Sequence, residues 1–296
     1  MTQTPADTIA LTGTTGALGG AVLAQLPGRH VLIGRDARAL APGHEHRAAG
    51  YGDEAAMTAT LDGVGTLFFV SGRESATRLE EHRTVVRAAA TAGVRRIVYI
   101  SFLGATATST FTLGRQHFFT ERAIRDTGLA FTFLRDSLYQ DFLPFMAGDD
   151  GVIRGPAGDG VLGAVARADI AEVAATVLRA ARGAEPGASP HDGASYDLTG
   201  PEAISMATVA ELLTTASGRP VGYVDETEEE AYASRARFGA PAFEVEGWVT
   251  SYQAIANGEL AEVSPDVQRL LGRPPTSFAH FLRTHPESYA HLQPRV

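Results

Sequence analysis

The 296-residue sequence contains no lysine and no cysteine, and all 25 of its basic residues are arginines. Without lysine there is no Schiff-base chemistry and no mechanism that needs a side-chain ammonium. The missing cysteines exclude disulfides, a thiolate nucleophile and cysteine-ligated zinc, and they permit a reducing cytoplasm. No apolar run reaches the ~20 residues of a membrane span. Met1 to Asp7 carry no basic residue ahead of an apolar stretch, so a cytoplasmic protein without a secretory signal is expected. Positive charge is also in short supply. The 34 acids give a net charge of −9, which argues against nucleic acid or an anionic membrane as a partner and leaves a small-molecule substrate. Nine histidines are scattered without a His-x-x-x-His pair and a carboxylate, so no metal site is expected. What is present, 44% hydrophobic and 20% charged residues, is the composition of an ordinary globular enzyme.

The most informative stretch is Thr8 to Gly20. An apolar run, Ile9 to Leu11, reads as a buried strand, three glycines follow at a spacing of three (Gly13, Gly16, Gly19), and Ala21 to Leu26 has helical periodicity. A strand, a tight glycine turn and a helix make the unit that grips a dinucleotide pyrophosphate. Gly13 permits the turn, Gly16 admits the phosphates to the backbone, and Gly19 lets the helix pack on the strand. Gly13, Thr14, Thr15, Gly16, Ala17, Leu18 and Gly19 are therefore the expected cofactor loop. His30 to Gly34 reads as the second strand and ends on Arg35, with Arg38 one helical turn on. Arginines at this tip fit the 2′-phosphate of NADP, where an acid would fit the free hydroxyl of NAD. Asp36, between them, is also a candidate helix cap.

Helices and strands continue to alternate. Helices are expected over 53–61, 74–92 and 116–127, and strands over 66–70, 96–101 and 130–135. This rhythm predicts a Rossmann-type α/β fold with a doubly wound parallel sheet over residues 1–137. Ligands bind at the carboxyl ends of such strands, here Thr12–Gly13, Arg35, Gly50–Tyr51, Ser71–Gly72, Ser101–Phe102 and Asp136–Ser137. Residues 138–296 read as a smaller, mostly helical substrate lid. Within it, helix 169–182, capped by Asp169, and strand 195–199 return to the first domain. Leu138 to Gly163 reads as irregular with a short hairpin, and Glu226 and Glu228–Glu230 as a solvated helix start.

The stretches Thr12–Gly19, Tyr51–Ala56, Ala92–Ile97, Phe133–Arg135, Arg167–Asp169 and Ser217–Pro220 together resemble the atypical short-chain dehydrogenases of the NmrA-like group, in the branch of bacterial NADPH:quinone and triphenylmethane reductases. The resemblance covers nearly the whole chain. It implies NADP(H) as cofactor, with the glycine loop on the pyrophosphate, Arg35 on the 2′-phosphate, Tyr51 in the run beside the adenine, and Ser71 and Gly72 beside the nicotinamide ribose. Two positions depart from the group. Gly50 stands where an Asp is common, and Asp136 replaces the Asn of Leu-Arg-Asn.

Most short-chain dehydrogenases use a Tyr-x-x-x-Lys pair and a Ser to protonate a ketone. Aligned on the same helix, this chain has Leu113, His117 and Phe102 at those places. An electron-poor acceptor, such as a quinone, an enone or a triarylmethane cation, takes hydride without simultaneous protonation. The expected activity is therefore NADPH-dependent reduction of such an acceptor. His117, which could also hold the nicotinamide ribose, Tyr139 and Ser137 are the candidate catalytic residues. An NADP-sensing regulator without turnover, or a pathway enzyme acting on one polycyclic substrate, has the same glycine loop and stays open.

Overall fold

Short apolar runs alternate with helices through the first two-thirds of the chain, and most of these runs become strands. In the computed structural model, which describes residues 7–293, the strands are β1 (Ile9–Thr12), β2 (Val31–Gly34), β3 (Glu45–Ala48), β4 (Thr66–Phe69), β5 (Arg96–Phe102), β6 (Ala130–Asp136), β7 (Val152–Gly155), β8 (Val161–Leu162), β9 (Ala194–Leu198), β10 (Ile204–Ser205) and β11 (Gly222–Asp225). The helices are α1 (Ala17–Ala24), α2 (Glu54–Thr60), α3 (Arg78–Thr91), α4 (Thr112–Asp126), α5 (Arg167–Ala181), α6 (Met206–Ser217), α7 (Glu228–Arg235), α8 (Ala242–Ala256), α9 (Asp266–Leu271) and α10 (Phe278–Thr284). The signal-peptide reading falls mostly on Met1 to Ala6, outside the described residues.

Seven strands form one sheet in the order β3-β2-β1-β4-β5-β6-β9. The pairings β1–β2, β1–β4, β2–β3 and β4–β5 are parallel. Order and direction are those of the doubly wound fold the alternation predicts. β1, β4 and β5 are buried at every residue, whereas β3 alternates half-buried and exposed because it forms the sheet edge. Behind the sheet, Met57, Val85, Ala89 and Ile124 from the helices and Leu61 just after α2 pack with Ile33, Leu67, Phe69, Ile97 and Phe133.

The chain divides into two compact units. The first comprises Met1–Phe102, Gln116–Arg135 and Ile170–Tyr196; the second comprises Leu103–Arg115, Asp136–Asp169 and Asp197–Val296. In the first unit the loop before β9 is anchored by Arg96, which is 1% exposed and grips Asp192 at 2.5 and 2.7 Å.

Several local expectations need correction. Helix α3 begins at Arg78 rather than Glu74, because Ser75 and Thr77 bond to each other in a polar turn instead. Helix α4 begins four residues early, at Thr112, whose N–H is capped by the Thr250 hydroxyl at 3.3 Å. The expected hairpin shrinks to one antiparallel bridge, Ala147 with Ile153. Instead β7 pairs in parallel with β11, and β8 antiparallel with β10. Asp169 sits inside the first turn of α5 rather than capping it. Its carboxylate accepts from the Thr276 N–H (2.6 Å) and from Arg273 (2.8 Å). Glu226 is not a solvated helix start: it is buried against Arg235 at 3.0 Å, and Thr227 caps α7 in a capping box with Glu230.

Candidate active site

The site begins where β1 ends. The Thr12 hydroxyl accepts the Val70 N–H (3.0 Å) and donates to the Phe68 carbonyl (3.3 Å), tying the carboxyl ends of β1 and β4. From this pair the strand order runs outward in opposite directions, and the crevice at such a reversal is where open α/β sheets bind ligands. Gly13 has φ +68°, and a Cβ there would lie 2.8 Å from Val70 Cβ. The Gly16 N–H donates to the Gly13 carbonyl at 3.0 Å and closes the turn. A Cβ on Gly19 would lie 2.3 Å from that carbonyl, so the start of α1 packs too tightly on the turn for any side chain. Gly16 differs. It is exposed and extended, and a Cβ there would meet only the Gly13 carbonyl, at 3.3 Å.

No side chain caps α1, so the first-turn N–H groups and the positive end of the helix dipole are left for a ligand. Thr15 and Ala17 are exposed beside them, and the Thr14 hydroxyl is buried without a hydrogen-bond partner among the described residues. The residues present fit a pyrophosphate: a cradle without side chains, an open helix start and an unused hydroxyl.

Arg35, at the tip of β2, is exposed and makes no ion pair among the described residues. Gly50 lies next to it: a Cβ on Gly50 would be 3.9 Å from Arg35 Cγ. Arg38 is partnered. Asp36 accepts its N–H (3.0 Å), capping a short 3-10 turn, and its carboxylate meets the guanidinium at 3.1 and 3.2 Å. Asp36 thus caps this turn, as the sequence suggested, and holds Arg38 in an ion pair as well.

Ser71 and Gly72 follow β4. The Gly72 N–H donates to His82 Nε2 (2.8 Å), and its carbonyl accepts from Arg78 Nε (2.6 Å). Tyr51 closes the other side, donating its hydroxyl to the Val70 carbonyl at 2.7 Å, and burial pushes that phenol well above its ordinary range. His117 lies deeper than a substrate-facing residue, at 5% exposure. Its Nε2 meets Arg78 Nη2 at 3.0 Å and its Nδ1 meets the Tyr99 hydroxyl at 2.9 Å, so both ring nitrogens are engaged within the first unit. Burial first, and Arg78 second, hold its pKa well below the usual histidine value.

The remaining candidates lie in the second unit. Tyr139 donates its hydroxyl to Asp136 at 2.7 Å, with the Arg167 guanidinium 5.4 Å from its ring centroid. Burial, then the Asp136 charge, raises its pKa well above that of an ordinary phenol. Ser137 is fully buried, and its hydroxyl has no partner among the described residues. A cavity of about 270 Å³ opens in this unit among Leu138, Phe142, Phe145, Met146, Phe238, Trp248 and Tyr252, with Arg154, Arg235 and Arg237 on its wall. Arg154 is paired with Asp150 (2.8 Å) and Arg235 with Glu226 (3.0 Å). Arg237 lies over the Phe238 ring. No cluster of potential metal ligands occurs among the described residues, nor any helix long and apolar enough to cross a membrane.

Residues 13–181 match the model of the NAD(P)H-binding family. The chain is 36% identical to quinone oxidoreductase 2 of Escherichia coli (strain K12) over 296 residues, covering 96% of this chain and 98% of the relative. The chain belongs to the NAD(P)H-binding family. Its fold matches a crystal structure of NADPH-dependent quinone oxidoreductase from E. coli complexed with NADPH, at a TM-score of 0.83, 34% identity and coverage of 94% and 99%. It also matches the Citrobacter sp. triphenylmethane reductase complexed with NADP(H), at a TM-score of 0.80, 30% identity and coverage of 94% and 99%. The likeness to quinone and triphenylmethane reductases read from the motifs is borne out.

Sequence reasoning did not find the polar residues behind the Ser71–Gly72 loop. Arg78 and His82 are four apart on α3, on the same buried stripe as Val85, Val86 and Ala89. A cation and an imidazole on an apolar helix face were the available signal. Tyr99, buried mid-strand in β5, gave none.

Proposed function

We propose that this protein is an NADPH-dependent reductase that delivers hydride to an electron-poor conjugated acceptor: a quinone, an enone or a cationic dye. NADPH, when bound, supplies the hydride. The glycine loop Gly13 to Gly19 would hold its pyrophosphate, Arg35 its 2′-phosphate, and Ser71 and Gly72 its nicotinamide ribose. Arg35 makes no ion pair among the described residues, Gly50 puts no acid beside it, and the neighbouring Asp36 is taken up by Arg38. A charge-assisted hydrogen bond there would favour NADPH over NADH by roughly 1.5–3 kcal/mol.

The observation that carries the choice of acceptor is that the imidazole and the phenol among the candidates are already committed, which leaves only the weakly acidic Ser137 hydroxyl without a partner among the described residues. No lysine exists, His117 has both ring nitrogens bonded internally, and the Tyr139 proton faces Asp136. A saturated ketone needs a proton as hydride arrives, whereas a quinone spreads the incoming charge over its ring and takes its proton later from water. We assign the aromatic cavity of the second unit to the acceptor, because Phe142, Phe145, Trp248 and Tyr252 suit a flat conjugated ring. The relatives named for reducing quinones and triphenylmethane dyes support the same class.

Following NADPH oxidation over a panel of benzoquinone, naphthoquinone, a conjugated enone and a cationic triarylmethane dye tests the proposal. Turnover is expected with at least one of them. Tight NADPH binding with turnover of none would instead favour a cofactor-sensing role.

A further inference from the structure

Gly72, His82, Tyr99, His117 and Arg78 close a ring of polar contacts that begins and ends on one loop residue. The Gly72 N–H donates to His82 Nε2 (2.8 Å), His82 Nδ1 lies 3.4 Å from the Tyr99 hydroxyl, and that hydroxyl meets His117 Nδ1 (2.9 Å). His117 Nε2 meets Arg78 Nη2 (3.0 Å), and Arg78 Nε donates back to the Gly72 carbonyl (2.6 Å). All of these side chains lie in the first unit and are buried. We propose that Arg78, His82, Tyr99 and His117 are positioning residues that fix the Gly72 peptide for the nicotinamide half of NADPH. This rests on the reading that Ser71 and Gly72 adjoin the nicotinamide ribose.

The donors around the ring fix its protons. A backbone N–H can only donate, so His82 Nε2 is an acceptor and its proton sits on Nδ1. That proton has a partner: Thr120 Oγ1, 3.0 Å away, has given its own hydrogen to the Gln116 carbonyl (2.8 Å). Arginine too can only donate, so His117 Nε2 is an acceptor and its Nδ1–H points at Tyr99. Both imidazoles are thus neutral Nδ1–H tautomers. The groups facing them are Arg78, the phenols Tyr51 and Tyr99, the Thr120 hydroxyl, the apolar rings Phe69 and Phe102, and each other. No carboxylate is among them. Protonating either ring would destroy an acceptor and set a second cation beside Arg78. A helix-borne pair, Arg78 and His82, thereby holds both polar groups of a glycine that has no side chain to locate itself.

Two measurements test the ring. The first is ¹⁵N NMR of the histidines in the cofactor-free protein. The resonance pairs of His82 and His117 should keep the pattern of the neutral Nδ1–H form from about pH 7.5 down to about pH 5.5, below the ordinary histidine pKa; His82 or His117 appearing as Nε2–H, or titrating near pH 6.5, overturns the assignment. The second compares two ligands by calorimetry, NADPH and adenosine 2′,5′-bisphosphate, which lacks the nicotinamide ribose. His82→Leu should weaken NADPH by about tenfold, the loss of the one hydrogen bond that holds the part-buried Gly72 N–H, and leave the bisphosphate unchanged. His82→Gln, whose amide oxygen still accepts from Gly72, should restore most of the NADPH affinity and keeps the test open if His82→Leu does not fold. Equal weakening of both ligands, or undiminished NADPH binding in folded His82→Leu, overturns the positioning role. A wild-type protein that binds the bisphosphate but gains nothing from the nicotinamide half also overturns it. A wild-type protein that binds neither ligand sinks the cofactor reading itself, a distinct outcome.

Discussion

At the scale of single residues, the glycine loop separates folding from binding. Gly13 and Gly19 are required by the protein itself, one by its positive φ and the other by a carbonyl 2.3 Å from any Cβ. Gly16 is extended and exposed, and a side chain there has one tight neighbour, the Gly13 carbonyl at 3.3 Å, which a small shift relieves. Gly16→Val should therefore unfold like the wild type in denaturant while losing NADPH binding, and Gly19→Ala should lose stability. NADPH binding retained by a folded Gly16→Val variant would show that the loop holds no phosphate. Arg35 gives the second prediction. A Gly50→Asp side chain has room beside it, with its Cβ about 3.9 Å from Arg35 Cγ, and would pair with the cation that the 2′-phosphate needs. NADPH affinity should fall by roughly ten- to a hundredfold and NADH affinity should not, with Arg35→Ala behaving alike and Arg38→Ala less severely because Asp36 already occupies Arg38. Equal NADPH titrations for wild type and Gly50→Asp would remove Arg35 from the site. The glycine turn was legible in sequence because the close packing of Gly13 and Gly19 fixes their spacing along the chain. The partners of His117 were not, since Arg78, Tyr99 and His117 meet only after three separate elements pack.

Elements were legible where hydrophobic pattern decided them. β1, β4 and β5 announce themselves as apolar runs, and Asp53 caps α2 at the start of the helix expected over 53–61. β3, with the polar sequence Glu-His-Arg-Ala, is a strand only because β2 offers it an edge. Helix boundaries moved wherever a side chain from elsewhere caps an end, as Thr250 does for α4. Glu226 is the clearest case of tertiary context reversing a local reading. Four glutamates over five positions suggest solvent, yet Glu226 is buried against Arg235, which also donates to the Arg154 carbonyl at 2.9 Å. Removing one partner of a buried pair strands the other charge. Glu226→Ala should cost about 3–5 kcal/mol in urea unfolding. A loss below about 1 kcal/mol would mean that water reaches Arg235 freely.

At the scale of the whole molecule, the neutral histidines of the first unit couple stability to pH. Burial foremost, with Arg78 adding, holds His82 and His117 well below their ordinary pKa of 6.5. Unfolding releases both to about 6.5, so below that pH the unfolded chain takes up protons that the folded chain refuses. Stability should be level above about pH 7 and fall as the pH drops through 6.5, by up to about 1.4 kcal/mol per pH unit for each histidine. Denaturant unfolding at a series of pH values measures this, and a flat profile between about pH 6.5 and pH 5.5 would contradict it.

The central claim is that hydride passes from NADPH to a conjugated acceptor without an acid side chain. The direct measurement is the steady-state rate of NADPH oxidation with naphthoquinone and with cyclohexanone, for the wild type and for Tyr139→Phe. Rapid turnover of the naphthoquinone is predicted, with none of the saturated ketone. Tyr139→Phe should lose less than about tenfold in rate, because the hydroxyl it removes donates to Asp136 rather than to the acceptor. Comparable turnover of cyclohexanone, or a Tyr139→Phe variant that binds NADPH normally but no longer reduces the quinone, would contradict the account.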